Sequence, residues 1–320
     1  MNLKLSIVIP CYNCALTLRE AINSCYTQGF SETEFEIVMV DDCSSDNTRQ
    51  LIEQIKDEKT NVKIFFHSQN EGGGAARNTA IANANSDIIF CLDSDDILPP
   101  NNLKRMYDYL LEKDCDSVCF HHSINFKGRD INDISHIVDM SNPGLPIEFE
   151  NLFQTKDSMC GLYQVFMFTK SAFNKTLGYP TTHGFDTQGF AWRFLAAGNT
   201  AYTCPDTTYL LRVEFKESYY LREYNQGKNN FNWQNIFLEH IYLFNQETQS
   251  FIQNYDCSDF TKDFFSDLIS RDKILKDDYK SLIGINQTHD KVFINKQKSY
   301  PRNSFYGFYL RLKNKLKRFK

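Results

Sequence analysis

The sequence contains no long apolar run. Across its 320 residues the longest uninterrupted apolar stretches have about five residues, far fewer than the ~20 that a membrane-spanning helix requires. The opening MNLKLSIVIP holds one lysine and a very short apolar run before Pro10, which is unlike a secretory signal. These absences predict a protein that stays in the cytoplasm.

Paired cysteine motifs are also missing, although ten cysteines are present. Cys11 and Cys14 have the spacing of zinc and redox sites, yet no second C-x-x-C and no nearby pair of histidines completes such a site. A looser group around Cys115, Cys119 and His121-His122 is a weaker candidate. Thiols inside apolar patterns are common in cytosolic cores, so a metal–thiolate site is the less favoured interpretation.

Acidic residues are absent from the C-terminal segment. Residues 291–320 contain ten Lys or Arg and no Asp or Glu, which leaves 25 basic and 40 acidic side chains in the other 290 residues. An acidic body with a basic tail is unlike a general nucleic-acid binder. The tail FYGFYLRLKNKLKRFK is amphipathic if helical, a pattern typical of peripheral contact with an anionic membrane. We expect such contact through 303–320 at the inner face of the cell membrane; a solvated terminus is the alternative.

The first hundred residues alternate strand and helix patterns. Short β-branched or aromatic runs without polar alternation are typical of strands buried on both faces of a mostly parallel sheet. The strands are predicted at 5–10, 35–40, 62–66 and 87–92, and the helices at roughly 15–27, 46–58 and 74–85. The fold class is therefore α/β, a mostly parallel open sheet flanked by helices.

The pattern weakens after residue 100. It indicates a helix at 102–113 followed by a strand, a loop-rich stretch at 125–160, a strand and turn at 163–173, a helix at 190–198 and strand-like runs at 200–213. Aromatic-rich helices follow. We therefore predict one α/β domain over 1–215, with halves at 1–100 and 101–215, and a C-terminal helical extension over 216–320.

Three carboxylates, Asp93, Asp95 and Asp96, follow the predicted strand at 87–92. Ligands of open α/β sheets bind at the carboxyl ends of the strands. Mg²⁺ prefers one or two carboxylates together with substrate phosphates and waters, and a bound cation would offset the repulsion among these groups. We predict a divalent metal site; a helix N-cap cluster is the alternative.

The ends of the other strands carry further candidates. Tyr12 follows Pro10 at the first strand end, where its ring could stack on a nucleobase. Asp42 follows the second strand and could accept a hydrogen bond from a ligand N–H. Arg77 lies in the Gly-rich NEGGGAARN, whose backbone could approach a phosphate closely. That segment lacks the Lys-Ser/Thr of a P-loop and the G-x-G-x-x-G of a dinucleotide site. Rim packing and helix capping are the plain alternatives.

These segments in this order resemble the nucleotide-sugar half of family 2 glycosyltransferases, which have the GT-A fold. The matching segments are SIVIPCYN, EIVMVDDCSSDNT, NEGGGAARNTAI and CLDSDDILPP, spread over roughly residues 4–100. The resemblance implies a UDP-sugar donor, Mg²⁺ or Mn²⁺, and transfer with inversion at the anomeric carbon.

The resemblance also assigns residues. It implies that Tyr12 stacks on uracil beside Pro10, that Asp42 receives the N3–H of the base, and that Arg77 and Asn78 lie near the base and diphosphate. Asp93 and Asp95 form the D-x-D element. Asp95 lies near the ribose and metal, and Asp96 is a further metal ligand.

The family's general base usually belongs to a Glu-Asp pair before a helix. Here Asp186 matches the Asp, and Phe185 stands where the Glu is expected. Asp186 is therefore the candidate catalytic base, with capping of the next helix as the alternative. Arg193 is a candidate to support Asp186 or the diphosphate. His183 is a weaker candidate base, because its unperturbed pKa suits proton transfer.

The predicted function is an inverting hexosyl transfer from a UDP-sugar to a hydroxyl of a saccharide or lipid-linked acceptor, in capsule, O-antigen or lipopolysaccharide synthesis. A nucleotidyltransferase would need a basic Gly-rich loop near the N-terminus, and PCYNCALT has neither Gly nor Lys. A non-catalytic sugar-nucleotide or carbohydrate-binding module remains the alternative, favoured by the missing Glu and disfavoured by the complete D-x-D.

Overall fold

Eight strands form one mixed sheet. The structure is a computed structural model that describes residues 3–139, 143–148, 151–152, 160–182, 184–213, 228–259 and 262–270. The strands lie side by side in the order Val62–Phe66 (β3), Phe35–Asp41 (β2), Leu5–Cys11 (β1), Ile88–Cys91 (β4), Met167–Thr169 (β7), Ser117–Lys127 (β5) and Ile134–Asp139 (β6), and Ala201–Val213 (β8) pairs with β5. The predicted α/β class, with helices flanking a central sheet, is confirmed.

The N-terminal half of the sheet is parallel. It consists of β1 (Leu5–Cys11), β2 (Phe35–Asp41), β3 (Val62–Phe66) and β4 (Ile88–Cys91). Every residue of β2 and β4 is buried, which explains why these strands lack polar alternation. Cys11 pairs with Asp41 across β1 and β2, so the polar residues after these strands meet at one rim.

Four helices follow these strands, and the second and third of them pack against the parallel strands. The four helices are α1 (Leu18–Cys25), α2 (Thr48–Glu58), α3 (Gly73–Ala82) and α4 (Asn102–Lys113). The helix α1 begins later than the predicted residue 15. Asn13 adopts a left-handed backbone, with a φ of 51°, and the chain makes a turn at Cys14–Thr17 before helical geometry begins.

The second half of the sheet adds antiparallel pairs. It contains β5 (Ser117–Lys127), β6 (Ile134–Asp139), β7 (Met167–Thr169) and β8 (Ala201–Val213). β7 runs antiparallel between β4 and β5, and β8 runs parallel to β5. The end of β5 and all of β6 lie inside the stretch at 125–160 predicted as loop-rich, so that prediction is wrong there. β6 is almost entirely exposed; backbone pairing with β5 holds it, and no buried face marks it in the sequence.

Helices complete the described chain: α5 (Lys170–Asn174), α6 (Asp186–Ala196), α7 (Asn229–Glu239), α8 (Gln246–Asn254) and α9 (Phe264–Ser270). Short 3-10 turns occur at Gly161–Tyr163 and Ile241–Leu243. Trp192 of α6 packs on Phe237 of α7, with ring centroids 4.8 Å apart. The helices α7, α8 and α9 belong to the same compact unit as the sheet. The domain division at residue 215 stays a prediction.

Two further expectations concern the cysteines and the membrane. All ten cysteines are free thiols and eight are buried, as expected for structural cysteines. Within the ranges given above, no helix has the length and apolar character to cross a bilayer. The predicted amphipathic tail at 303–320 lies outside the described residues.

Candidate active site

The D-x-D segment forms a tight turn after β4. The Asp96 N–H donates to the Asp93 carbonyl oxygen over 3.2 Å, and the Thr17 hydroxyl donates to the Ser94 carbonyl oxygen over 3.1 Å. The Asp95 side chain is exposed and that of Asp93 partly so. The turn therefore offers two carboxylates at the surface of the rim.

Asp96 takes a different direction. Its side chain is buried, and both carboxylate oxygens are occupied: Oδ2 accepts from the Tyr209 hydroxyl and Oδ1 from the Arg212 N–H, each over 2.7 Å. Asp96, predicted to bind metal, ties the turn to β8 through these two hydrogen bonds, and a metal contact of its carboxylate stays a prediction. Burial and the neighbouring carboxylates of Asp95 and Asp93 hold the pKa of Asp96 well above its usual range.

The crowding of carboxylates raises the proton affinity of Asp95. Its side chain reaches solvent, but surrounding protein atoms and the Asp93 carboxylate raise the pKa of Asp95 to about 6. Among the described residues, no three His, Cys, Asp or Glu side chains are arranged to hold a metal ion. Mg²⁺ is nevertheless commonly bound by only one or two protein carboxylates when substrate phosphates and waters supply the remaining ligands. Asp93 and Asp95 therefore fit a divalent cation that arrives with a diphosphate.

Arg77 of α3 joins the D-x-D turn to the candidate base. Its Nη2 donates to Asp93 Oδ1 and its Nη1 to Asp186 Oδ2, both over 2.5 Å. The Nε is buried and has no hydrogen-bond partner among the residues that the structure describes. Burial opposes the positive charge, yet the carboxylates of Asp186 and Asp93 raise the pKa of Arg77 well above its usual value. Arg77 is therefore positively charged and binds the carboxylates of Asp93 and Asp186, which come from distant parts of the sequence.

Asp186 is the first residue of α6. Its Oδ1 accepts from the Thr187 N–H over 2.8 Å, so it also satisfies one of the free N–H groups of the helix start. Burial raises the pKa of Asp186, and the Arg77 guanidinium opposes that rise. Phe185, in the place of the expected Glu, is buried and packs edge-on against Trp233 with ring centroids 5.3 Å apart. A Glu at this position would have to enter the aromatic core, which explains the departure from the family pattern.

The two glycines that begin α3 permit close contact with the segment that leads to α6. A Cβ on Gly74 would lie 2.0 Å from the Pro180 carbonyl oxygen. A Cβ on Gly73 would lie 3.0 Å from both Arg77 Nη1 and Asp186 Oδ2. The Gly-rich segment was predicted to approach a phosphate; in the structure two of its glycines let α3 meet residues 180 and 186.

Asn78 contributes to the same contact. Its side-chain Oδ1 accepts from the Tyr179 N–H over 2.8 Å, and its Nδ2 donates to the Tyr179 carbonyl oxygen over 2.9 Å. Both polar atoms of the Asn78 side chain are therefore hydrogen-bonded to the backbone of Tyr179. The predicted place of Asn78 beside the base and diphosphate stays a prediction, and its observed contacts are with Tyr179.

Asp42 organises the loop before α3. Its carboxylate accepts from the N–H groups of Glu71 and Gly72 over 2.9 and 2.8 Å. It also pairs with His67 Nδ1 at 2.7 Å, while His67 Nε2 lies 2.9 Å from the Thr79 hydroxyl. His67 follows β3, and no sequence motif singles it out. A His between a carboxylate and a hydroxyl is recognisable only once β2, β3 and α3 are adjacent.

Tyr12 stands at the end of β1 with 48% of its surface exposed. The side chain of the next residue, Asn13, accepts from the N–H groups of Ser45 and Asp46 over 2.8 and 3.3 Å, which fixes the turn that carries the Tyr12 ring. Pro10 lies half-buried one residue before the strand end. Both remain candidates for contact with a nucleotide.

Arg193 lies apart from the carboxylates at the rim. Its guanidinium makes a bidentate pair with Glu239 of α7, with contacts of 3.0–3.1 Å, and donates to the Gly178 carbonyl oxygen over 2.8 Å. It anchors α7 to α6. His183, the weaker candidate base, lies outside the described residues.

Comparison with known proteins places this site in a family. The sequence profile described as "Glycosyl transferase family 2" matches residues 6–177. The poly(ribitol-phosphate) beta-N-acetylglucosaminyltransferase TarS of Staphylococcus aureus is 37% identical over 122 residues, which are 38% of this chain and 20% of TarS. The poly(ribitol-phosphate) beta-glucosyltransferase of Bacillus spizizenii is 36% identical over 115 residues, 36% of this chain and 18% of that enzyme. The matched region thus spans about a fifth of these relatives.

Solved structures agree at the level of the fold. The crystal structure of S. aureus TarS 1-349 in complex with UDP-GlcNAc superposes with a TM-score of 0.61 at 19% identity, covering 84% of this chain and 72% of that one. The mannosyltransferase PcManGT from Pyrobaculum calidifontis, in complex with GDP-Man and Mn²⁺, gives 0.56 at 16% identity, covering 92% and 83%. These likenesses confirm the GT-A fold. Since the family profile covers more than half of the sequence, the chain belongs to glycosyltransferase family 2.

Proposed function

We propose that the protein is a metal-dependent, inverting glycosyltransferase that moves a sugar from a UDP-sugar to a hydroxyl of a saccharide or lipid-linked acceptor during synthesis of a bacterial surface polysaccharide. The observation that carries the proposal is Arg77, which holds Asp93 of the D-x-D turn and Asp186 together through two 2.5 Å contacts. The relative TarS, a poly(ribitol-phosphate) beta-N-acetylglucosaminyltransferase, supports the substrate class.

The donor half of the site follows from the rim. The base stacks on Tyr12 beside Pro10 and lies against the Asp42 loop, while Arg77 and the D-x-D turn face the diphosphate and ribose. Asn78 serves this half by holding the Tyr179 backbone. The Asp42 carboxylate is buried and has three contacts, of which two are to Oδ1 and one is to Oδ2. The second lone pair of Oδ2 is the acceptor proposed for the base.

Mg²⁺ or Mn²⁺ would be held by Asp95 and by the second oxygen of Asp93, and when bound it would neutralise charge on the departing diphosphate. Asp96 acts on this site by fixing the turn, since both of its oxygens are occupied. The mutual repulsion of Asp93 and Asp95 makes the metal-free turn costly to ionise and therefore favours a cation.

Asp186 takes the proton in the proposed reaction. The acceptor oxygen forms a bond to the anomeric carbon as the bond to the diphosphate oxygen breaks, and the hydroxyl proton passes to the Asp186 carboxylate. The Arg77 guanidinium favours the ionised form of the buried Asp186 carboxylate, and the Thr187 N–H fixes the orientation of that carboxylate. With a single base and a leaving diphosphate, direct displacement gives inversion.

The donor assignment predicts a metal-dependent gain in stability. UDP with Mn²⁺ should raise the unfolding temperature, since a ligand at about 100 times its Kd adds ~2.7 kcal/mol, and EDTA should remove most of the gain. Thermal unfolding with UDP, GDP, dTDP and CMP provides the measurement. Asp95→Asn should lose the metal-dependent part, while Asp108→Asn, on an exposed face of α4, should retain it. A metal-dependent rise with another nucleotide alone would contradict the UDP assignment.

The base assignment predicts a separation of binding from turnover. Asp186→Asn keeps the hydrogen bond from Thr187 but cannot accept a proton, so transfer should fall by about 10²–10⁴-fold while UDP affinity stays near wild type. Initial rates with a panel of UDP-sugars and saccharide acceptors, beside UDP titrations, measure both. Asp206→Asn, at an exposed surface pair, is the control. Undiminished transfer by Asp186→Asn would refute this base, and UDP binding without transfer by the wild type would favour the non-catalytic binding module.

The basic segment predicts peripheral binding at the inner face of the cytoplasmic membrane. Each Lys or Arg near an anionic surface contributes about 1 kcal/mol, so deletion of 303–320 should release the protein from vesicles containing anionic lipid and leave UDP binding unchanged. Vesicle sedimentation measures this, with neutral vesicles as the control. Equal sedimentation of the full chain and the truncated chain would remove the membrane proposal.

A further inference from the structure

A buried arginine on β8 contacts the metal-binding turn from the side opposite Arg77. Arg212 lies beyond the family profile, which ends at residue 177, and its side chain is 1% exposed. Its Nε donates to the Asp95 carbonyl oxygen over 2.6 Å, and its backbone N–H donates to Asp96 Oδ1. One residue thus holds two successive positions of the D-x-D turn.

The rest of the guanidinium is anchored elsewhere. Its Nη2 donates to Glu20 Oε2 of α1 over 2.6 Å, and its Nη1 donates to the Gly128 carbonyl oxygen in the β5–β6 turn. The guanidinium carbon lies 4.7 Å from the centre of the Phe126 ring. The planar fork of an arginine can serve three separate acceptors in this way, whereas a lysine offers one point of charge.

A stability role alone explains this arrangement poorly. Burying a cation costs solvation free energy, and apolar replacement of a buried ion pair is often neutral or stabilising. An apolar side chain among Phe126, α1 and β5 would fill the same space at a lower cost in solvation. An apolar side chain could not supply the directed hydrogen bonds to the carbonyl oxygens of Asp95 and Gly128, and the first of these acts directly on the turn.

The contacts leave one part of the turn free to bind. The carbonyl oxygens of Asp93, Ser94 and Asp95 accept from Asp96 N–H, Thr17 and Arg212 respectively, and the Asp96 side chain is held by β8. The exposed Asp95 carboxylate is therefore presented from a backbone fixed at three successive carbonyl groups. Supporting contacts of this kind orient ligands and commonly change metal affinity by about 10–100-fold.

We propose that Arg212 is a positioning residue that, with Tyr209, fixes the Asp93–Asp96 turn so that Asp95 is presented to the metal–diphosphate group of the donor. The inference rests on the proposed function of the same site. It assigns part of the donor site to β8, a strand outside the region that the family profile matches.

The test compares Arg212→Met and Arg212→Lys with Arg193→Met. Arg193 is the matched control, because it is also a largely buried arginine with a carboxylate partner but does not contact the turn. UDP affinity is measured by calorimetry with Mn²⁺ and with EDTA. Arg212→Met should weaken Mn²⁺-dependent UDP binding by about tenfold or more with little change in EDTA. Arg212→Lys should recover part of the loss, and Arg193→Met should keep both affinities.

A second measurement needs no ligand. Hydrogen exchange of the metal-free protein should show faster exchange of the Asp96 and Ile97 amides in Arg212→Met, with β1 and β2 unchanged. Tyr209→Phe, which removes only the hydroxyl that donates to Asp96, should shift exchange in the same direction and serves if Arg212→Met does not fold. If the variants exchange these amides and bind UDP with Mn²⁺ as the wild type does, the inference about Arg212 is wrong and the proposed donor site is unaffected. Absence of Mn²⁺-dependent UDP binding in the wild type would overturn the proposed donor site, and the inference with it.

Discussion

The candidate active site depends on one buried cation, Arg77, held between two carboxylates from distant parts of the sequence. Asp93 follows β4, and Asp186 begins α6, 109 residues after Arg77 in the chain. A buried guanidinium is tolerated because both carboxylates pair with it. Removal of either carboxylate would leave the buried guanidinium with one partner instead of two, so the paired state favours one arrangement of these two segments.

Several local features follow from this constraint. Gly73 and Gly74 lack side chains because a Cβ at either position would collide with, or crowd, the segment that carries Pro180 and Asp186. Asn78 commits its amide to the Tyr179 backbone, which closes the same contact one turn further along α3. A second arginine, Arg212, approaches the D-x-D turn from β8. The turn thus lies between two arginines, one bound to the Asp93 carboxylate and the other to the Asp95 carbonyl oxygen.

The sequence was informative where the pattern is local. The predicted bounds of the first four strands agree with the observed bounds to within one residue. Short runs of apolar residues mark these strands because most of their side chains are buried. Arg77, Asp93, Asp95 and Asp186 were identified from short segments that resemble the family, and the structure brings Arg77, Asp93 and Asp186 into direct contact. Confirmation of the fold and family leaves their chemical roles as proposals.

What the sequence could not predict depends on partners far along the chain. Asp95 and Asp96 are adjacent in the sequence, but only Asp96 is buried, because Tyr209 and Arg212 of β8 hydrogen-bond to its carboxylate. Arg212 lies 116 residues after Asp96 in the chain, so the local sequence gives no sign of this contact. His67 becomes notable only beside Asp42 and Thr79. The edge strand β6 has no buried face to produce an apolar pattern, so its pairing with β5 leaves little trace in the sequence.

The most direct test of the central contact is a double-mutant cycle on the free energy of unfolding of the ligand-free protein. The variants are Arg77→Met, Asp186→Asn and the combination, measured by urea denaturation at neutral pH. We expect the double variant to lose less stability than the sum of the single losses, with a coupling of about 1–3 kcal/mol, because a neutral amide in place of the Asp186 carboxylate leaves no unpaired charge there when Arg77 is absent. Stability losses that add within about 0.5 kcal/mol would show that Arg77 and Asp186 do not interact energetically. That result would contradict the claim that Arg77 holds the candidate site together.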